Sequence, residues 1–399
     1  MMPRDIREVN KKEMFSGKLR ELDMTTGSIA KKMLLFTLPL MLSGILQLLY
    51  NAADIIVVGR YSGSVALAAV GSNSSLINLL VGLFIGIATG VNVIAAKHYG
   101  AKNDKGISDT VHTSMLLGLI CGTVMGTVGF FVAKKLLLFM GSPSDVIELS
   151  TLYLKIYFLG MPGLVVYNFG AALLRAAGDT NKPLIFLLIS GILNVLLNLL
   201  FVVVFKMDVA GVALATTLSQ YVSTALVLIC LIRTDTALKF MPHRMRINGK
   251  TLAGIIRVGL PAGLQSVLFS ISNVLIQSTV NSFGSTVMAG NAAAISIENF
   301  SYISMDAVGQ SAVTAAGQNM GAKKYGNFSR ILRLGLLYST IAGIIWGIIY
   351  ILFGRELTAI YAPGQPAVID VGKIRLDIFG YTYFIWGIMN IFVCLLRGM

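Results

Sequence analysis

Residues 46–59 read LQLLYNAADIIVVG, and Asp54 is the one carboxylate in an apolar run of about 26 residues from Met33 to Val58. A charge held in lipid costs at least about 2.5–3.5 kcal/mol, so such a residue is expected to face a cavity or a partner. The chemistry open to it is reversible neutralisation, by a proton or by Na⁺. Amides that could assist lie in GILNVLLNLL, where Asn194 and Asn198 stand four residues apart. That spacing puts both on one side of a helix. Their oxygens can hold Na⁺ or accept a hydrogen bond from protonated Asp54. The plainer role for all three is to glue helices together by hydrogen bonds.

Two further acids, Glu298 and Asp306, lie in AISIENFSYISMDAVGQ. A separation of eight is close to two helical turns, so they share a face within about 80°. They are expected to line a cavity together with Tyr302 and Met305, or to form a buried pair satisfied by nearby hydroxyls. Gln47, Tyr50 and Asn51 share a segment with Asp54 and are candidates for the same lining. Aromatic faces attract organic cations, which adds Phe169 and Trp386, although packing and lipid contact are the usual fates of such side chains. No Lys or Arg is expected at comparable depth, so the buried charge inventory reads as anionic. Cys121, Cys230, Cys394, His98, His112 and His243 show no metal-ligand spacing. No cofactor is expected, and no metal beyond Na⁺ near Asp54.

These residues need elements that cross a membrane. The chain has 399 residues, 55% of them apolar and 13% charged, with a mean hydropathy of +0.78. Repeated apolar stretches of about 20 residues make it an all-α polytopic membrane protein. Ten spans are predicted: 33–58, 67–95, 112–134, 152–174, 183–205, 209–232, 253–281, 287–315, 331–353 and 376–396. The first is too long for a signal-peptide core. With a cytoplasmic N-terminus, the inner segments hold 24 Lys and Arg and the outer ones 8. This asymmetry follows the positive-inside rule, so the net charge of +14 is an orientation signal and not a nucleic-acid patch. The expected organisation is a basic tail 1–32, an N-lobe 33–232, an inter-lobe loop 233–252 and a C-lobe 253–399.

The two lobes repeat. Leu38-Pro39 recurs as Leu260-Pro261, 222 residues later; Gly100-Ala101-Lys102 recurs as Gly321-Ala322-Lys323, 221 later; Asn168 and Leu173-Leu174-Arg175 recur as Asn390 and Leu395-Leu396-Arg397, 222 later. Three pairs in register indicate duplication. A repeat of six spans keeps its orientation, so the copies are related by a pseudo-two-fold axis along the membrane normal. By that symmetry the C-lobe lacks its last two helices, and the expectation is a piece of a twelve-span protein. Pro39 and Pro261 hold equivalent places and are candidate helix kinks; Pro162 also falls inside a span. Gly82, Gly86 and Gly90, and likewise Gly118, Gly122 and Gly126, form ladders suited to close helix packing.

In this order and duplicated, LPLMLSGILQLLYNAADIIVVGRYSG, AAKHYGAK and LLRAAGDTNKP, then GLPAGLQS, GQNMGAKK and LLRGM, resemble the multidrug and toxic compound extrusion (MATE) family over residues 27–399. The resemblance implies two six-helix lobes around a V-shaped cavity. It implies a monomer in the plasma membrane of a bacterium or archaeon, which exports cationic amphipathic compounds in exchange for H⁺ or Na⁺ by alternating access. Asp54 matches the acid that the family places in its first span and uses in cation coupling, with Asn194 and Asn198 beside it. Relatives often carry Asp at the second amide position, so Asn198 leaves one negative charge fewer and tilts the expectation toward H⁺. A NorM-like branch places acids in its seventh and tenth spans. Here the seventh has Gln265 and Ser270, and the tenth has Asp377 only near its outer end, so the acidic residues are DinF-like instead. A flippase for lipid-linked sugars is the alternative in the same superfamily, disfavoured by the absence of a deep cation for the phosphates. No catalytic cluster or sizeable soluble loop supports an enzyme.

Overall fold

The computed structural model describes residues 21–140, 142 and 146–399; the first twenty residues of the expected tail lie outside them. Among the described residues the regular elements are helices. In order they are α1 (Ile29–Tyr61), α2 (Gly63–Gly100), α3 (Asp104–Phe139), α4 (Ile147–Leu159), α5 (Met161–Ala176), α6 (Asn181–Asn198) with a π-helical extension (Leu199–Val204), α7 (Asp208–Arg233), α8 (Gly249–Asn281), α9 (Ser285–Gly321), α10 (Asn327–Tyr361) and α11 (Pro366–Gly398). Continuous apolar sequence over these lengths leaves the backbone no water to bond, so each segment satisfies its own amides as a helix.

Eight of these helices are long and apolar enough to cross a membrane, and the pair α4–α5, bent by 47°, makes a ninth. The fourth predicted span is therefore broken. The break falls at Gly160, with Pro162 in the first turn of α5, where a missing N–H costs the helix least. The eighth predicted span, α9, is long enough at 37 residues but is not among the apolar set. It carries Asn291, Glu298, Asn299, Asp306 and Gln310 among small residues. The tenth predicted span starts too late at 376, because its helix begins at Pro366. Lys373 and Asp377 pair one turn apart within it, which lets the helix run on through charges that a hydropathy window rejects.

The repeated Gly-Ala-Lys motifs build the same turn twice. Ala101 and Ala322 cap α2 and α9. Lys102 and Lys323 then adopt left-handed φ values of 52° and 58°, a conformation uncommon for residues with a Cβ. The following amides bond back alike, Asn103 to His98 O at 2.9 Å and Lys324 to Asn319 O at 2.9 Å.

Contacts divide the chain into two units, one of Leu42–Leu264 with the segment ending at Leu22, the other of Asp23–Met41 with Gln265–Met399. The loop 233–252 thus falls within the first unit. The chain changes unit inside α1 and α8, two residues after Pro39 and three after Pro261. In the first unit, α3 packs on α4–α5 along its glycine ladder. A Cβ on Gly122 would lie 2.6 Å from Pro162 Cα, and one on Gly126 would lie 2.7 Å from Phe158 O. Gly86 and Gly90 of α2 similarly admit the start of α8, where a Cβ would lie 2.1 Å from Gly263 N and 2.3 Å from Ile255 O. In the second unit, α9, α10 and α11 pack on one another.

Candidate functional site

Three helices of the first unit converge on Asp54. The residue is 9% exposed, and its carboxylate receives the Asn198 amide through Oδ1 and the Thr216 hydroxyl through Oδ2 at 3.4 Å. Asn198 Nδ2 also donates to Asn194 Oδ1 at 3.3 Å, and Asn194 Nδ2 to Thr216 Oγ1 at 3.5 Å. The i, i+4 spacing puts both amides on one side of α6, where Asn198 meets Asp54 and Asn194 meets Thr216. Asn198 is the last α-helical residue before the π-helical turns Leu199–Val204, a local widening that recurs at functional sites.

Two features set the electrostatics. Among the described residues, no ion pair involves Asp54; its bonds come from neutral amide and hydroxyl groups. In addition, Asn198 Oδ1 is fully buried without a hydrogen-bond partner. A buried acceptor left unbonded costs free energy on the order of 1–3 kcal/mol. The carboxylate, two amide oxygens and a hydroxyl form an all-oxygen set, the donor chemistry that hard cations take. A proton on Asp54 would neutralise the same cluster.

Gln47 and Asn51 continue a polar stripe along α1 at spacings of four and three residues, and both are exposed. Amides at membrane depth are stable where they meet water or another polar group rather than acyl chains. Tyr50 is half-buried and lies against Gly191 of α6, with its hydroxyl 3.4 Å from Leu188 O.

The second unit treats its acid differently. Glu298, 7% exposed, accepts a two-pronged hydrogen bond from Arg375, with Nε to Oε1 at 2.7 Å and Nη2 to Oε2 at 2.9 Å. The third guanidinium nitrogen, Nη1, donates to Asn291 Oδ1 at 2.6 Å. Asn291 in turn donates to Gln277 Oε1 at 3.1 Å, and Phe379 lies under the guanidinium at 4.8 Å. The expectation of an exclusively anionic buried inventory is therefore overturned. Arg375 stands one residue before the predicted span 376–396, because a hydropathy window starts after the last charge, yet it lies nine residues inside α11.

The remaining candidates separate. Met305 and Phe169 are fully buried and pack against Gly387 and Gly118, so neither lines open space. Tyr302 is 47% exposed and its ring lies 5.1 Å from that of Trp386. Asp306 is half-buried and acts electrostatically on Tyr302 and Cys394. Asp377 is held by Lys373. Sequence reasoning missed Thr216, Asn291 and Arg375. Thr216 stands in VALATTLSQ, where a span threonine normally bonds its own helix. Nothing local distinguishes it.

Long apolar helices, close glycine seams and a duplicated Gly-Ala-Lys turn define a multi-span membrane protein. The chain belongs to the MatE family, whose family model matches residues 39–200 and 261–399; its members are transporters and not enzymes. It is 28% identical over 380 residues to "Probable multidrug resistance protein YoeA" of Bacillus subtilis (strain 168), covering 93% of this chain and 81% of that protein. It is 31% identical over 315 residues to "Probable multidrug resistance protein YpnP" of the same strain, covering 78% and 69%. Among solved structures, "Outward-facing conformation of a multidrug resistance MATE family transporter of the MOP superfamily" has a TM-score of 0.85 at 22% identity, covering 96% of this chain and 87% of that one.

Proposed function

We propose that this chain is a secondary antiporter that exports organic cations in exchange for H⁺ or Na⁺ by alternating access, with Asp54 as the coupling carboxylate. One observation carries the reading. Asp54 is buried with no cation beside it among the described residues, and it sits against a buried amide oxygen that lacks a partner. A carboxylate so placed can take up and release a cation in each cycle. Asn194, Asn198 and Thr216 supply the oxygens that hold the ion in the bound state and the donors that stabilise the bare carboxylate in the other. Exchange requires that drug and ion each favour different conformations, since a ligand with equal affinity for both shifts nothing. The N-lobe and C-lobe are taken as 33–232 and 253–399 and the N-terminus as cytoplasmic, on the strength of the repeat and the basic asymmetry. The transporter is taken as a monomer in the plasma membrane.

Energised ethidium efflux tests the reading, in cells carrying matched membrane levels of wild type and Asp54→Asn. The expected outcome is efflux by wild type and none by the variant. A Na⁺ series at fixed pH, then a pH series at fixed Na⁺, names the ion. Equal pumping by both proteins makes Asp54 structural. No pumping by wild type favours the lipid-linked sugar flippase.

A further inference from the structure

The loop between α7 and α8 is strapped to the start of α3. Ser108, Asp109, His112 and Thr113 share one face of that helix. Met241 N donates to His112 Nε2 at 3.2 Å, and the Phe240 ring lies 5.8 Å from the imidazole. Arg246 reaches Asp109 Oδ1 at 2.8 Å and Asn248 reaches Oδ2 at 3.1 Å. Asn248 N donates to Thr113 Oγ1 at 3.0 Å.

His112 is the one member of the strap whose bonding depends on a single proton. It is 3% exposed, and both ring nitrogens are engaged. Nδ1 lies 2.7 Å from Ser108 O, a carbonyl that can only accept, so Nδ1 carries the hydrogen. Met241 N–H can only donate, so Nε2 must be bare. The docked loop therefore requires neutral imidazole. A second proton would set an N–H against an N–H and remove the bond that His112 makes to the backbone of Met241.

We propose that His112 is a proton-released latch, which holds residues 240–244 against α3 while neutral and frees them on protonation. Imidazole is the side chain whose charge changes across the physiological range. The charged groups on the packed elements do not substitute for it. Asp109 is already held by Arg246 and Asn248. His98, at the end of α2, lies beside Gly106 and its Nδ1 faces Asn103. Lys97 and Lys102 stand on either side of His98, and Asp104 and Lys105 open α3. Lys239 faces Asp235 at 3.7 Å, and His243 and Arg244 are exposed. The Asp109 contacts hold the far end of the loop, so release is local to residues 240–244. The latch rests on this local geometry and not on the proposed exchange. In an exchanger that admits protons, it would let the loop sense the acid delivered to its own side.

A nitroxide at His243→Cys, in full-length protein with Cys121, Cys230 and Cys394 changed to Ala and reconstituted in vesicles, reads the loop directly and removes the neighbouring imidazole. The expected result is a mobile fraction rising about threefold as the pH is lowered and the imidazole takes up its second proton. His112→Gln keeps an acceptor near the Nε2 position without a titrating proton. Its spectrum should stay in the immobile form throughout. Thr113→Val should raise mobility at every pH while the response to acid persists. A flat wild-type profile, or an unchanged pH response in His112→Gln, overturns the latch.

Discussion

Asp54 on α1 of the first unit and Glu298 on α9 of the second are both buried helical acids, and their surroundings meet the charge in opposite ways. Glu298 is matched by a guanidinium that uses all three of its nitrogens on Glu298 and Asn291. Asp54 has amides and a hydroxyl. Planar two-point pairing of Arg with carboxylate is strong and geometrically specific, so Glu298 has its counter-charge permanently and clamps α9 to α11. Asp54 has no ion-pair partner among the described residues, and in the proposed exchange its neutralising partner arrives from outside. Under the proposed exchange, one acid serves architecture and the other takes the coupling ion, although both read alike in the sequence as carboxylates in predicted spans.

The comparison breaks most visibly at Arg375. Arg375→Leu leaves Glu298 buried and unpaired, which should cost about 3–5 kcal/mol. A thermal melt of the purified protein should show a drop of many degrees. Adding Glu298→Leu should recover much of it, since an apolar pair of similar volume replaces a matched charge pair at little cost. If the single variant melts like wild type, the clamp is not structural.

Asp54→Asn should do the reverse. Loss of exchange should be near complete while stability changes by about 1 kcal/mol or less, because the cluster keeps neutral partners. A melt alongside the efflux assay separates the two acids. A large fall in melting temperature would make Asp54 an architectural residue like Glu298.

Asn198→Asp sharpens the same contrast by adding charge. A second carboxylate beside Asp54 should lower the Na⁺ concentration for half-maximal effect about tenfold, through Coulomb attraction in a site of low dielectric. Na⁺-dependent thermal protection reports it. Thr216→Val removes one weak donor and should raise the half-maximal cation concentration about two- to tenfold, in line with about 0.5–1.5 kcal/mol for a hydrogen bond.

The smallest effect is expected at Asp23, an acid before α1 that serves as a control outside the spans. Burial raises its carboxyl, but hydrogen bonds from Thr25 and Thr26, with Lys32 nearby, outweigh that and hold it below its usual value of 3.8. A depressed folded value means that its contribution is complete above 3.8 and lost as pH falls through the lower folded value. Asp23→Asn should therefore leave stability unchanged in strong acid and lower it slightly at neutral pH, as melts across that range would show.

Sequence by itself determined the class of this protein. Apolar runs near 20 residues admit only helices in lipid, and three motif pairs in register exposed the duplication that the Gly-Ala-Lys turns then repeat in three dimensions. It also singled out Asp54, Asn194 and Asn198, because a lone carboxylate and an i, i+4 amide pair are unusual in such runs. Tertiary structure decided what each polar residue meets. Arg375 joined Glu298 from 77 residues away, and Thr216 joined Asp54 from 162 residues away. Met305 and Phe169 turned inward to fill space beside glycines. Hydropathy scores each residue against lipid alone, whereas the free energy of a buried charge depends on its partner. That partner is chosen by helix packing, which brings together residues that no local pattern connects.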